Sequence, residues 1–280
     1  MKAVPAAGAR PEGVSSPGEV PESIREMFDT IAPTYDRANH LLSFGLDRMW
    51  WERAARAVKP ILARPGALVL DLCCGTGDLT LALHKWRPKS AHVPESEREA
   101  DSSAFDPTRR DRTLPNDKLV EIAPLLAADF APKMLALARP KFAGHNIITF
   151  EADALNLPFP DASLDLVTFA FGFRNLADYA AGLAELYRVL KPGGEIAILE
   201  CNQPGGLIGW CYSLYFRRVL PLLGGLISGT RRAYAYLPDS VERFPRPPQM
   251  RQRIAAAGFT GAEWTSYTLG TAGLYRARKI

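Results

Sequence analysis

The chain has 280 residues, enough for one large domain with a well-buried core or for two small ones. Its 34 Lys and Arg against 30 Asp and Glu give a mild +4 balance that by itself argues for neither nucleic acid nor membrane as a partner. Four cysteines without CxxC spacing or a matching set of histidines argue against zinc and thioredoxin-like chemistry, and no apolar run reaches the roughly 18 to 20 residues of a membrane-spanning helix.

In chain order, residues 1–22 are rich in Pro, Gly, Ser and Ala and are expected to be a disordered tail ahead of a single domain over 23–280. The tail has no apolar signal-peptide core, so the expected location is cytoplasmic, with reduced thiols. Ser23 to Asp29 and Ala38 to Lys59 predict a helical cap, with Leu41, Leu42, Leu46, Trp50 and Ala54 at helical spacing and breaks near Pro33 and Gly45. From Ala67 onward, short unbroken apolar runs (ALVLDLC, APLLAADF, IITFEADA, LDLVTFAFG, EIAILEC) alternate with helical stretches. Such runs suit strands buried on both faces, so the predicted class is α/β, a doubly wound, mainly parallel sheet. The helix ADYAAGLAELYRVL is expected to stop at LKPGGE.

Two segments depart from this pattern. Arg87 to Lys118 carries seven basic and seven acidic residues with four prolines and reads as a flexible insertion, its balanced charge unlike a nucleic-acid arm. Pro204 to Arg253 carries eight arginines against Asp239 and Glu242, a local +6 that leaves −2 for the rest of the chain. This second segment also holds Tyr212, Tyr215, Phe216, Tyr234, Tyr236 and a run of leucines. It predicts an inserted helical, aromatic cap, with an alternative role as an apolar surface fringed by arginines for docking on an anionic bilayer.

The chemistry is expected on the carboxyl edges of the first three strands, where ligands of open α/β sheets bind. The first strand ends near Asp71 and turns through Gly75-Thr76-Gly77 into a helix, a loop suited to close approach of a ligand to the backbone. Thr80 occupies the third glycine position of GxGxxG and no GK[ST] is present, which disfavours a pyrophosphate dinucleotide and excludes a Walker A loop. Asp129, after the second strand, is placed to accept from both hydroxyls of a ribose, and Asp153 with Ala154, after the third, to hold an adenine. Together they describe a pocket for a nucleoside without a phosphate tail.

DLCCGTGDL, ADFAPKML, ADALNLPFPDASLDLVTFAFGFRNLAD and ELYRVLKPGGEIAILE resemble the successive motifs of Rossmann-like class I S-adenosylmethionine methyltransferases. MFDTIAPTYDRANHLLSFGLDRMWW, YLPDSVERFP and AGF carry the resemblance further, to the family that C-methylates quinol head groups of menaquinone and ubiquinone precursors, over nearly everything from Ile24 to the C-terminus. The resemblance implies S-adenosylmethionine as cofactor, held by Asp71, Gly75, Thr76, Gly77, Asp129, Asp153 and Ala154, and a polyprenyl quinol as substrate. A serine that some relatives carry before FGxRN is Ala170 here. The adjacent Cys73 and Cys74 lean toward demethylmenaquinol over the 2-methoxy-6-polyprenylbenzoquinol precursor of ubiquinone. A soluble small molecule or RNA as acceptor, and a non-catalytic binding protein, are the readings from other classes, and a homodimer is left open.

Methylating a quinol carbon requires removal of a hydroxyl proton. Arg174 and Asn175, in Phe171-Gly172-Phe173-Arg174-Asn175 after the fourth strand, are the candidates to stabilise the phenolate and orient the ring, as the floor of the site. For Arg174 the alternative is a salt bridge to Asp178 or Glu200. Arginine is a poor base, so Asp36, His40 or a water relay is left to take the proton, with Tyr35, Asp36 and Asn39 closing over the substrate. The cysteines are expected to be packing residues.

Overall fold

The computed structural model describes residues 8–11, 14, 16–89, 122–215, 218 and 231–280. Seven strands form one sheet: β1 (Val69–Leu72), β2 (Leu125–Asp129), β3 (Ile147–Glu151), β4 (Leu164–Ala170), β5 (Leu190–Cys201), β6 (Thr260–Tyr267) and β7 (Ala272–Arg278). Their order is β3-β2-β1-β4-β5-β7-β6, parallel through β5, with β7 antiparallel to both β5 and β6. The doubly wound α/β expectation is therefore met.

The unbroken apolar runs have a direct cause in the layering. Along β1, Leu70 and Leu72 pack with Phe169, Leu183, Leu186 and Met250 on one face, while Val69 packs with Trp50, Ala54, Leu79 and Leu83 on the other. Both faces are covered, so neither allows a polar alternation. One cover comes from α7 (Tyr179–Val189) and α10 (Pro247–Ala256), the other from α3 (Leu46–Ala57) and α5 (Asp78–His84). Asp178 caps α7 by accepting from the backbone of Ala180 and Ala181. LKPGGE does end α7, and the chain passes at once into β5, whose first residues already pair with β4.

The cap consists of α1 (Val20–Ile31), a short 3-10 turn, α2 (Tyr35–Leu42) and α3, with Phe44 and Gly45 both at positive φ between the last two. Helix α6 (Pro132–Lys141) follows β2, α8 (Gly206–Leu214) follows β5, and α9 (Arg231–Arg243) precedes α10; α4 (Lys59–Leu62) is a single turn before β1.

Two boundaries differ from expectation. The tail is not disordered to residue 22: Ala9 is buried, its N–H donates to the Leu176 carbonyl at 2.8 Å, and α1 begins at Val20. Apolar Ala9, Val20 and Ile24 make a small cluster that fixes this stretch. Arg87, assigned to the insertion, belongs to the domain, since its buried guanidinium donates to the carbonyls of Leu62, Arg64, Pro65 and Ala123. Residues 90–118 of the expected insertion lie outside the described residues, as do 216, 217 and 219–230 of the basic aromatic segment.

Candidate active site

At the end of β1 the chain enters a loop in which Cys73, Gly75 and Gly77 have φ of 56°, 55° and 92°. Gly77 needs its missing side chain, because a Cβ there would sit 2.3 Å from the Phe142 ring; at Gly75 a Cβ would meet nothing within 4 Å, since that residue faces an open cleft. The Gly75 N–H donates to Asp129 Oδ2 and the Ala131 N–H to Asp129 Oδ1, each at 2.8 Å, which fixes this carboxylate at the cleft edge. Burial pushes Asp129 up to about 6, against the lowering effect of those N–H donors. Asp153 accepts from the Leu155 N–H at 2.9 Å, and Ala154 lies beside it on the same wall.

The cleft adds an apolar wall of Phe130, Met134 and Leu155 to these polar groups. Its lid is α1, which contributes Pro21, Ile24, Arg25 and Phe28. Arg25 stands 4.8 Å from the Phe130 ring centroid and pairs with Glu151. Neither Arg25 nor Phe130 was singled out from sequence, although Phe130 directly follows Asp129 on the strand edge.

Asp71 has a different task from the ligand contact expected of it. Fully buried, it accepts from Thr80 Oγ1 at 2.6 Å and Thr168 Oγ1 at 2.8 Å, so its oxygens brace β1, β4 and α5 beneath the loop. Burial raises it to about 7, with both hydroxyls opposing.

Next to the loop is a smaller recess walled by Tyr35, Asn39, Asp71, Thr76 and Asp78. Thr76 Oγ1 donates to Asp36 Oδ1 at 2.5 Å, and Lys141 Nζ reaches Asp36 at 2.7 Å and Asp78 at 3.2 Å. Asp36 is thus held at the glycine loop and is not among the residues lining the substrate-sized cavity described next, which corrects its assignment as a group closing over substrate.

That cavity is walled by aromatic side chains, Phe44, Trp50, Trp51, Phe171, Tyr212 and Tyr215, together with Leu237, Tyr35 and Asn39. Arg174 also lines it. Its Nη1 donates to Glu200 Oε2 at 2.8 Å and its backbone N–H to Glu200 Oε1 at 3.0 Å, while Nε donates to Ser240 Oγ at 3.3 Å. Of the two alternative salt-bridge partners the structure selects Glu200, because Asp178 is committed to its helix cap. Burial works against the Arg174 charge, but Glu200 outweighs it and holds the group protonated well beyond the ordinary range.

Arg174 and Asn175 do not form a shared floor. Asn175 lines the first cleft, accepts from Tyr236 Oη at 3.2 Å and donates to the Phe171 carbonyl at 3.4 Å, while Arg174 turns to the aromatic cavity. The reason is the 3-10 turn over Phe173–Asn175, which points successive side chains in different directions. Tyr35 and Phe171, at φ 58°, stand in the walls of all three spaces and so mark where they meet. Burial pushes Tyr35 up to about 12, against the opposing Arg174 charge and an Asn39 hydrogen bond.

A nucleoside-sized cleft thus meets an aromatic cavity holding one fixed cation, an arrangement suited to moving a group from a nucleoside carrier to an apolar aromatic acceptor. Among the described residues no group of three His, Cys, Asp or Glu could hold a metal ion.

Comparison with known proteins agrees with this reading. The demethylmenaquinone methyltransferase of Thermus thermophilus is 45% identical over 89% of this chain and 98% of its own length. The demethylmenaquinone methyltransferase of Deinococcus radiodurans is 43% identical over 91% of each chain. Among solved structures, a SAM-dependent methyltransferase from Aquifex aeolicus superposes with a TM-score of 0.52 at 14% identity over 95% of this chain and 100% of that one, a likeness of fold. With the family model matched from residue 18 to residue 279, the chain belongs to the ubiE/COQ5 methyltransferase family.

Proposed function

We propose that the protein C-methylates a polyprenyl quinol, demethylmenaquinol to menaquinol, with S-adenosylmethionine as donor. The observation that carries the proposal is the junction at Tyr35 and Phe171 between the nucleoside cleft and the aromatic cavity bearing Arg174. The names of the two relatives support the choice of quinol.

The residues present fit the donor. Gly75 leaves open the space a Cβ would fill, Asp129 holds its carboxylate at the cleft edge where ribose hydroxyls can donate to it, and Asp153 with the Phe130, Met134 and Leu155 wall suits an adenine. When bound, S-adenosylmethionine supplies an electrophilic methyl group. Arg174, fixed by Glu200, stabilises negative charge on the quinol oxygen, which loads electron density onto the ring carbon. The aromatic walls exclude water from that carbon.

The same reading accounts for the surface at the cavity mouth. Leu207, Trp210 and Leu214 of α8 are exposed, and Phe44, 77% exposed, lies 5.8 Å from Tyr215, ring centroid to ring centroid. Phe44 and Tyr215 also line the cavity, so exposed apolar surface is continuous with its wall. No described helix is long and apolar enough to cross a membrane. Apolar surface of this kind, in a segment whose sequence over 204–253 is rich in arginine, suits peripheral docking on an anionic bilayer at the inner face of the cell membrane, from which the prenyl tail enters.

The test is a methyl-transfer assay with reduced demethylmenaquinone and with the ubiquinone precursor, followed by mass spectrometry. Menaquinol is the expected product, and methylation of neither compound overturns the function. Sedimentation with anionic liposomes should show binding that weakens with salt, each basic contact adding about 1 kcal/mol at low ionic strength. A protein that ignores such vesicles at low salt removes the docking role.

A further inference from the structure

The aromatic cavity holds a pair that none of the preceding steps uses. Phe44 and Gly45, both at positive φ, reverse the chain between α2 and α3, and the Gly45 N–H closes onto the His40 carbonyl at 2.8 Å. This turn folds His40, in the last turn of α2, against Asp47, in the first turn of α3. His40 Nδ1 and Asp47 Oδ2 lie 2.6 Å apart, and Asp47 Oδ1 accepts from the Arg48 N–H at 2.8 Å. Asp47 is 3% exposed and lines the cavity. His40 stands behind it with its ring edge toward Trp51 and is about one-third exposed, so the pair runs from the cavity wall to solvent.

Resting on the quinol reading above, we propose that Asp47 is the proton acceptor for the quinol hydroxyl and that His40 relays the proton to water. Among the described residues lining this cavity, Asp47 is the only carboxylate. The other protic groups facing it are unsuited. Burial pushes Tyr35 and Cys201 up to about 12 and raises Tyr212 and Tyr215, and Arg174 is locked as a cation by Glu200. Asp36 is committed to Thr76 and Lys141. Asp78, whose charge interacts with that of His40, lines the recess beside the glycine loop and not this cavity.

The accounting closes. The quinol O–H bond breaks, its electron pair stays on oxygen facing Arg174, and an O–H bond forms on Asp47. Asp47 hands this proton to Nδ1 of His40 and becomes a carboxylate again, and the imidazolium loses a proton to water. As the ring carbon gains its methyl, the hydrogen it carried is displaced and returns to the quinol oxygen, so one proton per turnover reaches water.

The experiment compares wild type, Asp47→Asn and His40→Asn in single-turnover methylation of a short-tailed demethylmenaquinol as a function of pH, with S-adenosylmethionine affinity measured by calorimetry. Asp47→Asn should lose roughly a hundredfold or more in rate with donor affinity changed less than about twofold, and its residual rate should climb with hydroxide where the wild-type profile is flat. His40→Asn should lose about tenfold and show an altered profile. A second readout needs no donor: in D2O wild type should speed deuterium entry at the quinol ring carbon, and Asp47→Asn should not. Asp47→Asn within about threefold of wild type, with the same pH profile and equal deuterium exchange, overturns the relay. If Asp47→Asn fails to fold, a wild-type pH profile in His40→Asn overturns it instead. Wild type that methylates no quinol overturns the function itself, an outcome separate from a wild type that works equally well without Asp47.

Discussion

Thr76 of the glycine loop and Asp36 of cap helix α2 are joined by a 2.5 Å hydrogen bond, and Lys141 of α6 braces the same carboxylate at 2.7 Å. The cap is therefore tied to the glycine loop. Thr76→Val and Asp36→Asn should each weaken S-adenosylmethionine binding by about 1 kcal/mol, roughly fivefold, the partial exposure of Asp36 keeping the figure small. The double variant should lose little more than the worse single one, since both remove the same bond. Calorimetry on the four proteins checks this, and full additivity would show that the two residues act separately.

Asp129 makes donor affinity depend on pH. Ribose hydroxyls donate to the ionised carboxylate, and burial places the free group at about 6. Affinity should be constant above that pH and fall toward tenfold per unit below it. Asp129→Asn should weaken binding by about 1.5 to 3 kcal/mol and flatten the pH dependence. A Kd for wild type that stays unchanged at pH 5 would contradict the assignment.

Asp71, raised to about 7, affects stability in the opposite sense from an ordinary paired carboxylate. Between its unfolded value near 4 and about 7 the folded chain binds a proton that the unfolded chain does not, so its contribution to stability falls as pH rises through this window. Denaturant titrations of the donor-free protein should show a shallower loss over this window in Asp71→Asn than in wild type.

Arg174→Ala leaves Glu200 buried without its partner. The loss should be on the order of 3 to 5 kcal/mol, lowering the melting temperature by roughly 10 °C. Loss of turnover in Arg174→Ala alone therefore does not isolate catalysis. Arg174→Ala with Glu200→Ala should recover much of the stability and little of the rate, and recovery of both would remove Arg174 from the chemistry.

The paired cysteines act through shape. Gly172 packs so close to Cys73 that an added Cβ would lie 2.4 Å from the Cys73 Cβ, and Cys73 itself sits at φ 56°. Burial raises both thiols well above their ordinary value, followed by the nearby carboxylates Asp129 and Asp71, so neither is a ready nucleophile. Cys73→Ala with Cys74→Ala should keep most activity. Gly172→Ala should cost about 1 to 3 kcal/mol, with partial rescue by Cys73→Gly. Thermal melts and rates on this small set decide between shape and sulfur chemistry.

That Asp129, Asp153 and the glycine loop would share one cleft was legible because these residues follow a rule of chain geometry. Asp129, Asp153 and the glycine loop each sit at the end of an apolar run, and in a parallel sheet all such ends share one edge. Glu200 was foreseen as one of two partners for Arg174, but the partners of Asp36 and Asp47 and the divergence of Arg174 from Asn175 were not legible, for a different reason in each case. Thr76 and Lys141 are 40 and 105 positions from Asp36, and no local pattern announces a pairing across such distances. Arg174 and Asn175 adjoin in sequence, yet a 3-10 turn sends them to different spaces. His40 and Asp47 are only seven apart, but their contact depends on a non-glycine residue, Phe44, adopting positive φ beside Gly45. Ala9 lies in a Pro- and Gly-rich stretch whose composition hides one backbone bond to Leu176.

That last bond bears on how the enzyme can be handled. Leu176 and Ala177 line the nucleoside cleft, and Ala9 is stitched to the first while Gly8 packs on the second. An affinity tag or fusion partner joined directly to Gly8 would start at the rim of the cleft and should perturb cofactor exchange. One appended after Ile280, which is 79% exposed at the end of β7, would hang clear of it.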